Sequence, residues 1–203
     1  FVHLERFDDL WEQERHDAAA AVLAAIETHH PRSPYVLARK VNVLCQQDDR
    51  DAALDVALTV WLMPGEDERW PENECWRALE THRDWVLPAI DRALAAMQDG
   101  EKIRPCALDR LVDNLADVMR QDDDGDRPRP ESEQQPFLER YHSLLAALDE
   151  ATWPTAEARS TVFNKLVELG DVETVLNYRD AHPDESRTAA PIWASIGYAL
   201  SSS

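Results

Sequence analysis

Prolines recur along this chain at nearly regular intervals, and each stands just before a stretch with helical apolar spacing. They are Pro34, Pro71, Pro105, Pro154 and Pro191. The first two steps are 37 and 34 residues, and the last is 37. The third step contains a polar stretch at 121–135, and removing it restores a step of about 34 residues. Proline is favoured in the first helical turn, where the N–H that it lacks would have no partner. The period is that of one helix–turn–helix unit, so the sequence predicts a repeated helical hairpin.

The composition favours helices over sheets. The chain has 203 residues with 44% hydrophobic content and only 5 glycines, and Ala, Leu, Glu, Asp and Arg dominate. We therefore expect an all-α protein, a right-handed stack of helical hairpins (an α-solenoid) with about eleven helices. We expect a single domain over 1–203, with an acidic loop inserted at about 121–135. The alternative is two lobes, 1–121 and 136–203.

Capping residues indicate where the individual helices begin and end. Expected N-terminal caps are Asp17, Ser33, Asp49 or Asp51, Asp84 and Asp171. Gly100 and Gly170 are expected to end helices, because glycine readily adopts the left-handed conformation found there. Pro88 is expected in the first turn of its helix. A last helix is expected around 188–200.

The net charge of −19 bears on the choice of partner. Such a field repels nucleic acid and anionic membranes, and it attracts basic proteins. The chain also has 3 Lys, 18 Arg and 22 Asp, a bias typical of a GC-rich genome or a salt-adapted organism. The acidity therefore has two interpretations, solubility or a basic partner. We expect a protein or peptide partner, with no nucleic acid and no membrane insertion.

The three cysteines, Cys45, Cys75 and Cys106, are widely spaced and odd in number. This pattern argues against a disulfide framework and against zinc-finger spacing, so we expect a reducing, cytoplasmic location. No apolar run approaches the ~20 residues that a bilayer-spanning helix needs. We expect no secretory signal within the sequence, and because the sequence opens with Phe1, a trimmed leader stays an alternative.

Two stretches resemble tetratricopeptide repeats. The first, at 33–67, begins with Ser-Pro, has a short acidic turn and the pair Ala53-Leu54, and ends at Pro64. The second, at 162–184, contains ELGDVE and AHPD, which resemble the turn and the end of such a repeat. A third, at 14–34, resembles a second helix with its exit. The resemblance covers about half the chain. It implies a concave surface that binds a protein or peptide.

Arginines occupy corresponding places in four of the expected first helices, five or six residues after the proline. Equivalent positions line up in a stack of repeats, so one interpretation is that these arginines bind an acidic or carboxylate-ended peptide. Alternatively, each arginine pairs with a local acid within or between hairpins. By helical spacing, Tyr35, Asn42, Asn73 and Glu80 are expected to share the face of these arginines. Trp70 is expected to be exposed, because it precedes Pro71 in a predicted loop. The predicted partner-binding residues are Arg39, Arg77, Arg110, Arg159, Tyr35, Asn42, Asn73, Glu80 and Trp70.

The sequence contains no nucleophile–base pair, phosphate loop or complete metal set, so we expect no catalytic residue, no metal and no cofactor. Residues 120–131 partly match a calcium loop, but Arg120 stands where the first ligand belongs. Two Glu-x-x-His spacings, Glu27 to His30 and Glu139 to His142, are at the frequency expected by chance.

We expect a non-catalytic protein–protein interaction module, such as an adaptor, chaperone or scaffold. Two alternatives stay open. One is an acidic stoichiometric inhibitor, such as an immunity protein that neutralises a basic toxin. The other is a metal-dependent helical enzyme.

Overall fold

The computed structural model of the protein describes residues 2–64, 69–121, 130–148, 154–181 and 197, and every secondary-structure element in these ranges is a helix. In chain order, the helices are α1 (Val2–Glu12), α2 (His16–Glu27), α3 (Pro34–Gln46), α4 (Arg50–Leu62), α5 (Arg69–Glu80), α6 (Arg83–Gln98), α7 (Pro105–Arg120), the single turn α8 (Glu131–Gln134), α9 (Pro136–Ala147), α10 (Ala156–Glu168) and α11 (Val172–Ala181). The all-α prediction is confirmed for the described residues. The handedness of the stack stays a prediction.

The chain forms two compact units, residues 1–110 and 111–203. The boundary falls within α7, whereas the sequence analysis expects a single domain or, as the alternative, lobes separated at 121–135. Apart from residue 197, the helix expected around 188–200 lies outside the described residues, as does most of the calcium-like stretch.

In the first unit, helices pack against both their chain neighbours and the next helix but one. α3 packs against α2, α4 and α5, and α4 packs against α5 and α6. A cluster of apolar side chains from α1, α2 and α3, including Phe7, Leu23 and Val36, fills one part of the core. In another part, Trp61 and Trp76 stack with ring centroids 4.2 Å apart. Helix α3 packs against α5, and Arg39 on α3 bonds to Asp8 on α1, so α1, α3 and α5 form one row, which we call the first row.

Several predicted helix ends are confirmed. Asp49 precedes α4, and its side chain accepts a hydrogen bond from the N–H of Ala52 at 3.3 Å. Gly100 and Gly170 follow α6 and α10 with φ of +88° and +84°, the left-handed region that favours glycine. These ends depend on local backbone requirements, which is why the sequence reveals them.

Other predicted caps are wrong in detail. Asp17 and Asp84 each lie one residue inside a helix, which begins after Arg15 in α2 and after His82 in α6. Their charges still lie in the first turn, where the helix dipole favours an acid. Ser33 does stand at the start of α3, but its side chain makes no capping hydrogen bond. Pro88 lies in the second turn of α6 rather than the first.

In the second unit, α10 packs against α9 and α11. Tyr141, Phe163 and Leu166 are buried between these helices' apolar faces. Asp171 starts α11, where it accepts a hydrogen bond from the N–H of Thr174 at 3.2 Å, so this predicted cap is confirmed.

Candidate functional site

A cavity of about 650 Å³ opens on the first row of helices. Helix α1 supplies Phe7, Asp8, Trp11 and Glu12, helix α3 supplies Arg39 and Asn42, and helix α5 supplies Arg69, Trp70, Asn73, Glu74 and Arg77. We call this cavity the groove. All of its lining residues belong to the first unit.

Arg39 lies at the base of the groove and is only 8% exposed. Its guanidinium makes a two-point contact with Asp8, in which Nε donates to Oδ1 at 2.8 Å and Nη2 donates to Oδ2 at 2.6 Å. Nη1 donates to the backbone carbonyl of Tyr35 at 3.1 Å. The same guanidinium lies 4.6 Å from the ring centroid of Trp70 and 5.9 Å from that of Phe7. Arg39 thus ties α1 to α3 and to α5.

Trp70 is 41% exposed, and it is the exposed large hydrophobic residue of the part of the chain that the structure describes. Its ring stacks on Tyr35, with centroids 5.6 Å apart and planes 22° apart. Since Tyr35 and Arg39 both support the ring, it is held in place despite its exposure. The predicted exposure of Trp70 is confirmed.

A second polar link joins α3 to α5 across the groove. The side-chain amide of Asn42 donates to Oε1 of Glu74 at 2.9 Å, and Nη2 of Arg77 donates to the same oxygen at 2.9 Å. The side chain of Arg77 is 74% exposed, whereas that of Glu74 is 12% exposed. Glu74 is therefore held from both sides, while Arg77 keeps most of its guanidinium in solvent.

The structure brings together only part of the predicted set. Arg39, Asn42, Trp70, Asn73 and Arg77 line the groove, and Tyr35 supports it from beneath Trp70. Glu80 and Arg110 are not among its lining residues, and they pair with each other at 2.6 Å. Arg159 lies on α10 in the second unit.

The alternative interpretation of the arginines holds for three of them. Arg39 pairs with Asp8, Arg77 with Glu74 and Arg110 with Glu80. Each of these arginines is thus engaged by an acid within the first unit. A role in partner binding stays a prediction for every member of the set.

The contribution of α1 to the groove was not predicted from the sequence. This helix lacks a proline at its start, so the proline period did not mark it as a first helix. The spacing of residues along α1 does indicate a shared face. Phe7 and Trp11 are four residues apart, as are Asp8 and Glu12, so each pair shares a helix face.

One residue of each Glu-x-x-His spacing pairs with a residue outside that spacing. Glu27 pairs with Lys40 at 2.6 Å, and His142 contacts Asp171 at 2.5 Å. Within the described ranges, no three His, Cys, Asp or Glu side chains are grouped so that they could hold a metal ion. No helix in those ranges combines the length and apolar composition that crossing a bilayer requires.

Comparisons with family models, with curated proteins and with solved structures returned no match. The resemblance to tetratricopeptide repeats therefore stays a prediction.

Proposed function

We propose that the protein is a non-catalytic interaction module that binds a protein or peptide segment in the groove. The observation that carries this proposal is Trp70, which is 41% exposed at the groove and is braced by Tyr35 and Arg39. Tryptophan is enriched among the residues that contribute most to protein interfaces, because its large ring releases much water on burial. A braced ring also loses little conformational freedom when a partner covers it.

The remaining lining supports a peptide ligand. A volume of about 650 Å³ is within the usual range for ligand pockets, so it accommodates a few residues of chain. Asn42 and Asn73 offer amide groups that can bond to a peptide backbone, and Phe7 and Trp11 offer aromatic surface. Because Asp8, Arg39, Asn42, Glu74 and Arg77 are already held in pairs, this part of the groove is formed before binding.

The proposal includes a tetratricopeptide-like architecture, in which successive first helices build the concave surface. It is supported by the first row of helices and by the polar links Arg39–Asp8 and Asn42–Glu74 between its members. It also includes a cytoplasmic location, which the three free cysteines favour.

Site-specific photo-cross-linking tests the proposal. A photoreactive residue replaces Asn73 in the groove of the 203-residue chain, and the matched control replaces Asp55 on α4, where its side chain is 73% exposed. We expect the groove position to cross-link a partner in extracts of the source cells, and we expect Trp70→Ala to abolish that product. Equal products from both positions, or none from the groove, would contradict the proposal.

An acidic inhibitor is the second candidate, because the net charge of −19 favours a basic partner. The same experiment separates the two functions. One tight basic partner at equimolar ratio indicates the inhibitor, whereas several weaker partners indicate an adaptor or scaffold.

A further inference from the structure

The groove already contains one seat for a guanidinium group, and this chain occupies it itself. The seat consists of a carboxylate and an aromatic ring from neighbouring positions of α1, Asp8 and Phe7, which hold Arg39. Trp70 completes it from α5. A carboxylate that bonds the guanidinium edge and a ring that covers its face are the two contacts that arginine favours in proteins.

The same pair of residue types recurs one helical turn further along α1. Trp11 and Glu12 follow Phe7 and Asp8 by four residues each, and the rings of Phe7 and Trp11 stack at 5.4 Å. Both new residues line the groove, and Glu12 is exposed. In the described part of the chain, no arginine or lysine forms an ion pair with Glu12, in contrast to Asp8.

Two other lining residues of the groove, Asn42 on α3 and Glu74 on α5, also present acceptors. Asn42 and Arg77 both donate to Oε1 of Glu74, so Oε2 of Glu74 and Oδ1 of Asn42 are left to accept from a ligand. Among the arginines of the lining, Arg39 and Arg77 are each paired with a lining carboxylate. The charges left over are those of Glu12 and Arg69, within a chain of net charge −19.

We propose that the groove binds an arginine side chain of a basic partner segment, with its guanidinium between Trp11, Glu12 and Glu74. This inference rests on the proposed function and adds the chemical class of the partner. Arginine suits the position better than lysine, because its planar fork bonds two carboxylates while its face lies on the indole ring. The field of the acidic chain increases the rate at which a cationic segment arrives.

Fluorescence anisotropy with defined peptides tests the proposal on the 203-residue chain. The probe is a labelled Gly/Ser peptide with three arginines, and its counterpart carries uncharged citrulline, which keeps the planar shape. Glu12→Gln with Glu74→Gln removes two of the three carboxylate charges that line the groove, and a glutamine oxygen at position 74 can still accept from Asn42 and Arg77. The matched control, Asp51→Asn with Asp55→Asn on α4, changes the net charge equally at exposed positions.

We expect the groove variant to weaken binding of the arginine peptide by about tenfold or more, and the control variant by less than about twofold. Citrulline should weaken binding to the unmodified protein as much as the groove variant does. Equal weakening by both variants would show that only the overall charge attracts the peptide, and it would overturn the proposal. Undiminished binding of the citrulline peptide would overturn it as well.

The two proposals can fail separately. If the groove cross-links a partner whose bound segment lacks arginine, the arginine seat is wrong and the interaction function stands. If the groove position cross-links nothing while the arginine peptide binds there, the arginine seat stands and the interaction function is wrong.

Discussion

At the scale of single residues, arginine in this acidic chain joins helices to one another. Arg39 and Arg110 each reach an acid on a different helix, Asp8 and Glu80. A guanidinium can do this with two parallel hydrogen bonds, as between Arg39 and Asp8, where both donor–acceptor distances are short. Lysine lacks the planar fork and would keep the charge without the two-point contact.

A double-mutant cycle on Arg39 and Asp8 measures the strength of this tie. We expect Arg39→Ala to lower the free energy of unfolding by about 1–2 kcal/mol, since Arg39 is buried while the side chain of Asp8 stays 45% exposed. Urea unfolding supplies the measurement. The exposed pair Arg92–Asp51 is the control, with a coupling energy below about 0.5 kcal/mol. Equal coupling energies in the two pairs would show that the burial of Arg39 does not strengthen its interaction with Asp8.

At the scale of helices, buried polar contacts hold the beginning of α7 against α5. Nη1 of Arg104, just before α7, lies 2.5 Å from Oε1 of Glu72, and both side chains are buried. Nε1 of Trp76 donates to the backbone carbonyl of Ala107 at 3.1 Å. Burying a charged or polar group away from water costs free energy unless a partner compensates it, so each of these groups depends on its partner within the first unit.

Removing one charge of the Arg104–Glu72 pair should be costly. We expect Glu72→Gln to lower the free energy of unfolding by about 3 kcal/mol, because Arg104 then keeps a buried charge without its counter-charge. Urea unfolding followed by tryptophan fluorescence measures the loss. Replacing both residues by methionine should recover much of it. If the double replacement is as unstable as the single one, the cost comes from lost packing and not from charge.

The start of α11 depends on the ionisation of Asp171. Burial alone would raise the pKa of this carboxyl, but hydrogen bonds from Thr174 and His142 outweigh burial and hold the pKa below its usual value of 3.8. The folded state therefore binds this proton less readily than the unfolded state. The stabilisation is present above about pH 4 and is lost as the pH falls through the lowered pKa.

Acid unfolding of Asp171→Asn tests this. We expect the variant to be less stable than the unmodified protein at pH 7, and the difference between them to shrink as the pH falls below 3.8. The helical signal in circular dichroism, recorded during urea unfolding at several pH values, gives the comparison. A difference that stays constant from pH 7 to pH 2 would mean that the carboxylate charge at Asp171 contributes nothing.

At the scale of the whole chain, negative charge is in large excess, with 40 acidic against 21 basic residues. Acidic residues would outnumber basic ones even if every basic residue were paired, so negative charges repel one another in the folded state. Counter-ions reduce this repulsion, because the screening length falls to ~10 Å at 0.1 M salt.

Added salt should therefore stabilise the protein. Between about 0.02 and 0.5 M NaCl we expect the thermal midpoint to rise by roughly 2–4 °C for each kcal/mol of relieved repulsion. Differential scanning fluorimetry gives the midpoint, and potassium chloride serves as the control for ion-specific effects. A midpoint that is unchanged or lower at high salt would indicate that the ion pairs outweigh the repulsion.

Local requirements of the backbone determined much of what the sequence alone revealed. Pro34, Pro105 and Pro136 stand at the first positions of their helices, because a residue without an N–H loses nothing there. Gly100 ends α6 because the chain takes a positive φ at that residue. The exposure of Trp70 was likewise predicted from its place beside Pro71, although the structure puts it in the first turn of α5 and not in a loop.

The tertiary structure alone decided what the predicted residues touch. A shift of one residue turns a side chain by about 100° around its helix, so a helical pattern cannot say which partner an arginine reaches. Arg39 is buried and links two helices because the packing of α1 brings Asp8 against it. Arg110 forms an ion pair with Glu80 and does not line the groove. The packing of α1 beside α3 also brought Trp11 and Glu12 into the groove, since that contact joins residues about thirty positions apart in the chain.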